Sequence, residues 1–548
     1  MPATAPALDA VHIGNGHAPA LPEHLTAERL RALARVATYA PGEVAPGEVA
    51  SGARARLTVR APFTGEAVAT LPAAAPEDVA HAFARARAAQ AAWAARPFHA
   101  RARVFERYHD LVLDRREEAL DLIQLESGKT RFDAFLEVGD VALVARYYAY
   151  HGEAPLARTA KPGFVPALTQ VEVNRVPVGV VGVIAPWNYP LTMAISDAIP
   201  ALVAGNGAVV KPAEQTPFTA LWAAELLYEA GLPRDLLHVV PGDGPTLGPA
   251  LIGAADFVHF TGSTEVGRLV ARQAGERLVG ASLELGGKNP CIVLDDADLD
   301  RTVEGVVRAC FSSAGQLCIS AERLYVQRPM FDAFLARFRA RAEALAVGPG
   351  YDWETEMGSL ASREQLDKVT AHVADALAKG ATLVTGGRPL PHLGPFFYAP
   401  TILTGVTPAM TLYAEETFGP VVAVYPFDTD GEAVALANDS VYGLNASVWT
   451  RDARRGRRLA RRLRCGTVGV NDPYMATWGS TAAPMGGMGQ SGLGRRHGPE
   501  GLLKYTEAQT VATQHLLPIA PLAGMAAGAF AGAVVGAFKV IRRLPGLR

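Results

Sequence analysis

The stretch PVGVVGVIAPWNYP, residues 177–190, decides the fold class of this chain. Its first eight residues are valine, glycine, proline and isoleucine, which is the pattern of a short strand buried on both faces. Runs of the same kind, separated by helical stretches such as 216–230 and 246–254, follow at residues 208–210, 237–240 and 257–260. Strands that alternate with helices in this way indicate βαβ units and a parallel sheet.

The residues that end these strands indicate where a ligand binds. Pro186, Pro212, Pro241 and Gly262 each come within two residues of a strand end. An open α/β sheet binds its ligand beyond the carboxyl ends of its strands. We therefore expect a binding cleft at this edge of the sheet.

The C-terminal half alternates in the same way without repeating the first sequence, which predicts a second α/β domain. Its strands are predicted over residues 291–294, 323–327, 382–385, 421–426 and 446–448, and its helices over 301–311, 330–346 and 363–379. Residues 147–172 lose the helical period and contain several prolines, so extended segments are expected there. The arginine-rich stretch 451–464 predicts a solvated helix face.

Composition excludes several classes of protein. The chain has 548 residues, 49% of them hydrophobic, and its formal net charge is −2. It can therefore bury a large core, and no excess of charge draws it to nucleic acid or to anionic lipid. Its four cysteines, which lack zinc-ligand spacing, favour a reducing, cytoplasmic compartment and no bound metal; they are Cys291, Cys310, Cys318 and Cys465.

The two ends of the chain differ from its middle. Residues 1–52, which include a tandem PGEVA at 41–50, are predicted to form a flexible N-terminal extension. Within it, Leu25, Leu30, Leu33 and Val36 have the spacing of one face of a short helix.

Four features carry chemistry. Gly262 and Gly267 flank the start of a predicted helix, where backbone N–H groups can meet a phosphate. Glu284 precedes two glycines, Cys318 follows small and polar residues, and Asn188 lies between prolines that restrict its backbone. Taken singly, each also has an ordinary explanation: a helix-start turn, a surface glutamate, a buried thiol and a turn asparagine.

Taken together, these stretches resemble the aldehyde dehydrogenase superfamily from about residue 55 to residue 510. The resemblance implies an α/β fold with a Rossmann-type cofactor domain, an α/β catalytic domain and a small oligomerisation hairpin. The matching stretches are PWNYP (186–190), KPAEQTP (211–217), FTGSTEVG (260–267), LELGGKNP (283–290), FSSAGQLC (311–318), EETFGPV (415–421) and GLLKYTE (501–507).

The implied domain boundaries follow the family. The cofactor domain covers residues 53–283 with the hairpin 147–172 inserted, and the catalytic domain covers 284–488. An oligomerisation segment covers 489–511, and an apolar tail covers 512–548. The resemblance implies a homodimer or homotetramer assembled through the hairpin and residues 502–511.

The resemblance also implies a mechanism. Cys318 is the nucleophile that forms a thiohemiacetal and then a thioester. Asn188 and the backbone N–H of Cys318 hold the oxyanion, and Glu284 activates the water that hydrolyses the thioester. Cys310 is expected to serve in packing.

The implied cofactor is NAD or NADP. Lys211 and Glu214 fall on positions that read the ribose, and a carboxylate there repels a 2′-phosphate, so Glu214 favours NAD. The remaining positions implied for the cofactor are Ile184, Trp187, Gly244, Gly262, Ser263, Gly267, Leu285, Glu416 and Phe418.

The subgroup resemblance is to bacterial succinate-semialdehyde dehydrogenases, through IAPWNYP (184–190) and residues 478–507. One feature departs from that subgroup. Its well-understood members have arginines at two positions that are Ser196 and Ser312 here, so the usual anchor for a substrate carboxylate is missing.

The tail leaves an alternative open. Residues 516–538 carry no charge, and Lys539, Arg542 and Arg543 follow them. This pattern is similar to fatty-aldehyde members of the family with a membrane-associated tail. A helix docked on a partner subunit is the other interpretation of the tail, and a non-catalytic scaffold on the same fold is a third hypothesis for the whole protein.

Overall fold

The computed structural model describes residues 22–40, 54–164, 169–515 and 520–543. The tandem PGEVA at 41–50 lies outside the described residues. The N-terminal part of the described chain is mainly helical and leads into a three-stranded sheet. Its elements are α1 (Ala27–Ala34), β1 (Arg56–Arg60), β2 (Ala67–Pro72), α2 (Pro76–Ala94), α3 (Phe98–Asp114), α4 (Arg116–Ser127), α5 (Arg131–His151), α6 (Glu153–Leu156), β3 (Thr159–Lys161) and β4 (Thr169–Pro177).

The predicted parallel sheet follows. Its elements are β5 (Val180–Ile184), α7 (Ala198–Val203), β6 (Gly207–Lys211), α8 (Pro217–Glu229), β7 (Leu237–Val239), α9 (Gly244–Ala254), β8 (Phe257–Thr261), α10 (Thr264–Glu276) and β9 (Gly280–Glu284). These strands lie side by side in the order β9-β8-β5-β6-β7. Because β5 comes first in the chain and lies in the middle, the order reverses there, and the crevice beyond its carboxyl end is the expected ligand site.

The second α/β region forms its own sheet, which is parallel except at the β12 edge. Its strand order is β12-β13-β14-β11-β10-β15-β16. The elements are β10 (Asn289–Val293), α11 (Leu299–Phe311), β11 (Ala321–Gln327), α12 (Arg328–Glu343), α13 (Arg363–Ala378), β12 (Thr382–Thr385), β13 (Thr401–Thr404), α14 (Thr411–Ala414), β14 (Val421–Phe427), α15 (Asp430–Asn438), β15 (Asn445–Trp449), α16 (Ala453–Ala460), β16 (Thr467–Val470) and α17 (Met475–Trp478).

The chain then returns to the first sheet. A short strand pairs antiparallel with β9 and closes that edge of the cofactor-side sheet, so part of segment 489–511 belongs to this sheet. A long strand next pairs antiparallel with β4. The elements of this part are β17 (Gly492–Leu493), α18 (Gly498–Leu503), β18 (Thr506–Gln514) and α19 (Ala527–Ile541).

The expectation of a flexible extension over residues 1–52 is wrong for residues 22–40. The side-chain oxygen of Thr26 caps α1 by accepting from the Arg29 N–H, and Leu30 and Leu33 are buried in the main core. Arg29 also pairs with Glu225 of α8. An apolar helix face and a bridging arginine therefore dock this segment on the folded chain.

The extended segments expected over residues 147–172 begin later than predicted. Helix α5 continues to His151 because its last turn is part of the core: Tyr148 is buried and donates to the carbonyl oxygen of Gly498 at 3.2 Å. Strand β4 then pairs with β3 on one side and with β18 on the other.

The arginine-rich helix and the C-terminal helix both lie on the surface. The arginines of α16 lie mostly exposed, except that Arg455 bridges Asp295 and Asp430. Helix α19 is exposed along most of its length, and Phe538 packs edge-on against Phe164. Across the described parts of the chain, no helix combines the length and apolarity needed to cross a bilayer.

Candidate active site

A cavity of about 210 Å³ opens where the carboxyl ends of β5, β8 and β9 face loops of the second α/β region. All three predicted catalytic side chains line it. Its lining residues are Pro186, Trp187, Asn188, Met193, Thr261, Gly262, Ser263, Glu284, Leu285, Gly286, Cys318, Gln365, Lys368, Glu416 and Phe418.

Cys318 reaches the cavity from a strained turn that follows α11. Ser313 and Ala314 have φ angles of 52° and 53°, in the left-handed region, and Gly315 follows at 71°. A non-glycine residue in that region costs roughly 1–2 kcal/mol. The chain thus reverses sharply before the thiol, and the surrounding structure has to hold the reversal in place.

Buried polar groups hold this turn. The Asp133 carboxylate accepts from the Ser313 N–H at 2.8 Å, and Tyr189 hydrogen-bonds the Ser313 hydroxyl at 2.9 Å. The Gln316 side chain donates to the Ser313 and Ser359 carbonyl oxygens and accepts from the Ala361 N–H. Each of these groups is satisfied only when the turn keeps its shape, so the network fixes the position of the thiol.

Asn188 lines the same cavity and is held by two hydrogen bonds, one of them to the turn that leads to Cys318. Its backbone carbonyl accepts from Lys129 at 2.6 Å, and its side-chain Nδ2 donates to the Gln316 carbonyl oxygen at 2.9 Å. An amide nitrogen carries two N–H bonds, so this contact orients the group and leaves its second N–H as a donor.

Glu284 is the last residue of β9. Its side chain is 6% exposed, and within the described part of the chain its Oε1 has no hydrogen-bond donor. Gly486 approaches so closely that an added Cβ would lie 2.9 Å from that oxygen. Glu284 therefore lines the cavity with a largely buried side chain, so it is not the surface glutamate of the ordinary explanation.

Burial controls the protonation of both reactive groups. Burial, with a smaller contribution from the carboxylates Glu416 and Glu284, raises the pKa of the Cys318 thiol to about 12. It also raises the pKa of Glu284 above the usual range, against the opposing pull of the Arg496 and Lys504 charges. Neither group is ionised by default in this cavity, so its chemistry depends on proton transfer.

Residues 415–421 form one wall of the cavity, and buried polar contacts hold them in place. The Glu322 carboxylate accepts from the N–H groups of Thr417 and Phe418, and it also pairs with Lys288. Phe418 then meets Trp187 edge-on, with ring centroids 5.6 Å apart. Glu416 accepts from the Gly287 N–H at 2.8 Å.

Lys211, Glu214 and Gly244 form a separate polar cluster beyond the ends of β6 and β7. The Glu214 Oε1 lies 3.2 Å from the Lys211 Nζ and also accepts from the Gly244 N–H. Burial lowers the pKa of Lys211, and the carboxylate opposes that change. Neither side chain lines the cavity that holds Cys318.

Most of the remaining predicted cofactor positions line the cavity, namely Trp187, Gly262, Ser263, Leu285, Glu416 and Phe418. Ile184 ends β5 and is paired with Lys211 on one side and with Phe260 on the other. Ser263 caps α10, and a Cβ added at Gly267 would lie 2.4 Å from Leu285, so glycine allows that close packing. Ile184 and Gly267 stay outside the cavity lining.

Three lining residues lie outside every sequence stretch that resembled the family. Gln365 and Lys368 lie one turn apart on α13, and Gln365 also donates to the Phe418 carbonyl oxygen at 2.6 Å. Met193 lies in the π-helical turn 192–196. No sequence pattern marks them, because their proximity to Cys318 arises only from tertiary packing.

Ser196 and Ser312 lie outside the cavity lining. The Ser196 hydroxyl donates to the Asp140 carboxylate at 2.6 Å, which is the opposite of an anion-binding arrangement. Cys310 is buried in the core of the second region, as expected for packing. In the described residues, no group of three or more His, Cys, Asp or Glu side chains is arranged to hold a metal ion.

A family model confirms the class of protein that this geometry suggests. The model of the aldehyde dehydrogenase family matches residues 49–511. The chain therefore belongs to the aldehyde dehydrogenase family, and the α/β fold and the enzyme class expected from its motifs are confirmed.

Two similar proteins are both named as one kind of aldehyde dehydrogenase. A protein of Mycolicibacterium smegmatis, provisionally named succinate-semialdehyde dehydrogenase with NADP(+), is 51% identical over 88% of this chain and 94% of its own. A crystal structure of succinate-semialdehyde dehydrogenase from Burkholderia pseudomallei is 38% identical, with a TM-score of 0.80 over 84% of this chain and 95% of its own.

A third similar protein has been solved with a nucleotide bound. A point mutant of betaine aldehyde dehydrogenase from Staphylococcus aureus, in complex with NAD+, is 34% identical, with a TM-score of 0.80 over 84% of this chain and 94% of its own. None of these three names supports the alternative of a fatty-aldehyde enzyme with a membrane-associated tail.

The turn before Cys318 makes a direct prediction. In Gly315→Ala, the new Cβ would lie 2.1 Å from the Gly419 carbonyl oxygen at a φ of 71°, so the turn has to move. Because a displacement of about 1 Å at a reacting group costs about 100-fold in rate, we expect kcat/KM for an aldehyde to fall by that factor or more.

Gly348→Ala is the matched control, since nothing lies within 4 Å of its added Cβ. Steady-state kinetics and thermal denaturation of both variants provide the comparison. Full activity in Gly315→Ala would contradict the role given to the turn.

Proposed function

We propose that this protein oxidises an aldehyde to a carboxylate with NAD(P)+, and that succinate semialdehyde is its substrate. The observation that carries the reaction is the convergence of Cys318, Glu284 and Asn188 on one cavity. The substrate is supported by the 51% identical relative and by the Burkholderia pseudomallei structure, both of which are named for it.

In this proposal Cys318 forms the first bond. Its thiol proton passes to a carboxylate of the cavity, and the sulfur attacks the aldehyde carbon to give a thiohemiacetal. The oxygen of that adduct accepts hydrogen bonds from the free Asn188 N–H and from the Cys318 backbone N–H. Donors fixed in advance stabilise this developing charge at little cost of reorganisation.

The residues around the cavity fit a dinucleotide. The helix start at Ser263 supplies N–H groups for a pyrophosphate, and Lys211 with Glu214 supplies a charged pair for a ribose. Trp187, Leu285 and Phe418 supply the apolar wall next to Cys318. When bound there, NAD(P)+ supplies the acceptor for the hydride that leaves the aldehyde carbon.

Glu284 completes the reaction. After hydride loss, Cys318 carries an acyl group as a thioester, and Glu284 takes a proton from the water that attacks it. The carboxylic acid product then leaves, and the thiol is restored. A buried carboxylate with a raised pKa is a stronger base than an exposed one, provided that it is ionised.

We also propose that the protein associates with itself through β18. This strand forms the edge of its sheet in the described part of the chain, and residues 507–514 are exposed along it. An exposed edge strand of nine residues offers a row of unpaired backbone groups to a second copy. The domain boundaries given by the family resemblance are retained as part of this proposal, except that residues 22–40 dock on the folded chain.

A substrate panel tests the proposed function. We expect kcat/KM to be at least about 100-fold higher for succinate semialdehyde than for butanal, which has the same chain length without the carboxylate. Octanal represents the fatty-aldehyde alternative. NADH or NADPH formation is followed spectrophotometrically for each aldehyde.

Two variants are the controls for the panel. Cys318→Ala abolishes oxidation of every aldehyde, whereas Cys465→Ala, at a half-buried cysteine remote from the motif, keeps it. Preference for octanal would overturn the substrate, and an active Cys318→Ala would overturn the reaction.

The choice of nucleotide gives a second prediction. We propose that Glu214 weakens NADP binding, so that the wild type prefers NAD although the Mycolicibacterium smegmatis relative is named for NADP(+). Glu214→Gln removes the repulsion of a 2′-phosphate and raises the ratio of kcat/KM for NADP to that for NAD by about tenfold. The control is Glu229→Gln, which removes a carboxylate at the C-terminal end of α8 and leaves the ratio unchanged. An unaltered ratio in Glu214→Gln would refute this assignment.

A further inference from the structure

Glu284 and Lys504 lie close enough for their charges to interact, although they form no ion pair within the described residues. Among the described residues, Glu284 has no cationic group in ion-pair contact, and Lys504 has no carboxylate in such contact. A carboxylate removed from water is neutral unless a cation compensates it. The ionisation of Glu284, the base of the proposed reaction, therefore depends on the cations near it.

The position of Lys504 is defined by two strands. Its ammonium donates to the Ser282 hydroxyl at 3.1 Å and lies 3.4 Å from Nδ1 of His259. Ser282 and Glu284 are two residues apart on β9, so their side chains share one face at a spacing of about 6.6 Å. The Lys504 ammonium is thus held at Ser282, the residue that neighbours Glu284 on the same face of β9.

His259 is neutral and accepts from Lys504. Burial lowers its pKa, and its Nε2 lies 3.0 Å from the Asp197 carboxylate. The arrangement that satisfies both contacts has the proton on Nε2 and the lone pair of Nδ1 directed at the ammonium. His259 therefore adds no charge of its own.

Other charged and titratable groups also act on Glu284. Arg496, from the loop after β17, pairs with Asp197 at 3.3 Å. Arg495 donates to the carbonyl oxygens of Gly487 and Gly494. Cys318 faces Glu284 across the cavity and is neutral as a thiol. Arg496 and Lys504 are therefore the main cations that act on Glu284, and the Asp197 carboxylate opposes their effect on its pKa.

We infer that Lys504 is a positioning residue that, together with Arg496, keeps Glu284 in its carboxylate form, so that thioester hydrolysis proceeds near neutral pH. This inference rests on the proposed function, in which Glu284 is the base. Lys504 itself is half-buried and does not line the cavity, so it acts through Glu284.

The positive charge of Lys504 determines in which direction its removal shifts the pKa of Glu284. The positive charge of Lys504 lowers the pKa of Glu284, while desolvation raises it. In Lys504→Met the pKa of Glu284 rises further, so the fraction of carboxylate at neutral pH falls. We expect hydrolysis of the acyl-enzyme at pH 7 to slow by about 10- to 100-fold. The acid limb of its pH–rate profile should move to higher pH by about one to two units.

The test follows the acyl-enzyme directly. The full-length protein is acylated with p-nitrophenyl acetate, excess ester is removed, and loss of the acetyl group is followed by intact-mass spectrometry between about pH 6 and pH 9. Lys504→Arg, which keeps the charge, is expected to retain the wild-type profile. Lys379→Met, at an exposed lysine paired with Asp375, is the control for loss of a lysine.

The outcomes separate this inference from the proposed function. An unshifted pH profile in Lys504→Met overturns the inference. So does an equal slowing at every pH, since a structural defect would act in that way. Ser282→Ala, which removes the hydrogen bond that directs the ammonium, extends the test if Lys504→Met fails to fold, and it should shift the profile in the same direction. A wild-type protein that cannot be acylated at Cys318 would overturn the proposed function instead.

Discussion

The removal of Cys318 and Glu284 from water is the constraint on which the rest of the site depends. Burial raises the pKa of both groups, so neither is ionised without help from its surroundings. The same dry cavity strengthens every donor and cation aimed into it. The fixed Asn188 amide and the cation Lys504 gain their importance from this burial, because in water each would contribute little.

The architecture supplies that burial from two directions. The carboxyl ends of β5, β8 and β9 form one wall, and loops of the second α/β region form the other. The loop of the thiol stores backbone strain at Ser313 and Ala314, and buried polar groups such as Asp133 hold it in that state. The precision of the site therefore comes from groups that never contact the substrate.

Much of this could be predicted from the sequence, because local patterns carry it. The apolar runs predicted β5, β6 and β8, and the motifs led to Cys318, Glu284 and Asn188. Docking of α1 and the continuation of α5 to His151 could not be predicted, since both depend on partners far away in the chain. Gln365, Lys368 and the contact of Lys504 with Ser282 were missed for the same reason: distant segments meet there only in the folded protein.

The central claim is that the sulfur of Cys318 bonds covalently to the carbonyl carbon of the substrate. Incubating Glu284→Gln with succinate semialdehyde and NAD+ should let the thioester accumulate, because the base that hydrolyses it is gone. Peptide mass spectrometry then locates the acyl group. The account predicts a succinyl adduct on the peptide that contains Cys318; an adduct on Cys291, Cys310 or Cys465, or none at all, would contradict it.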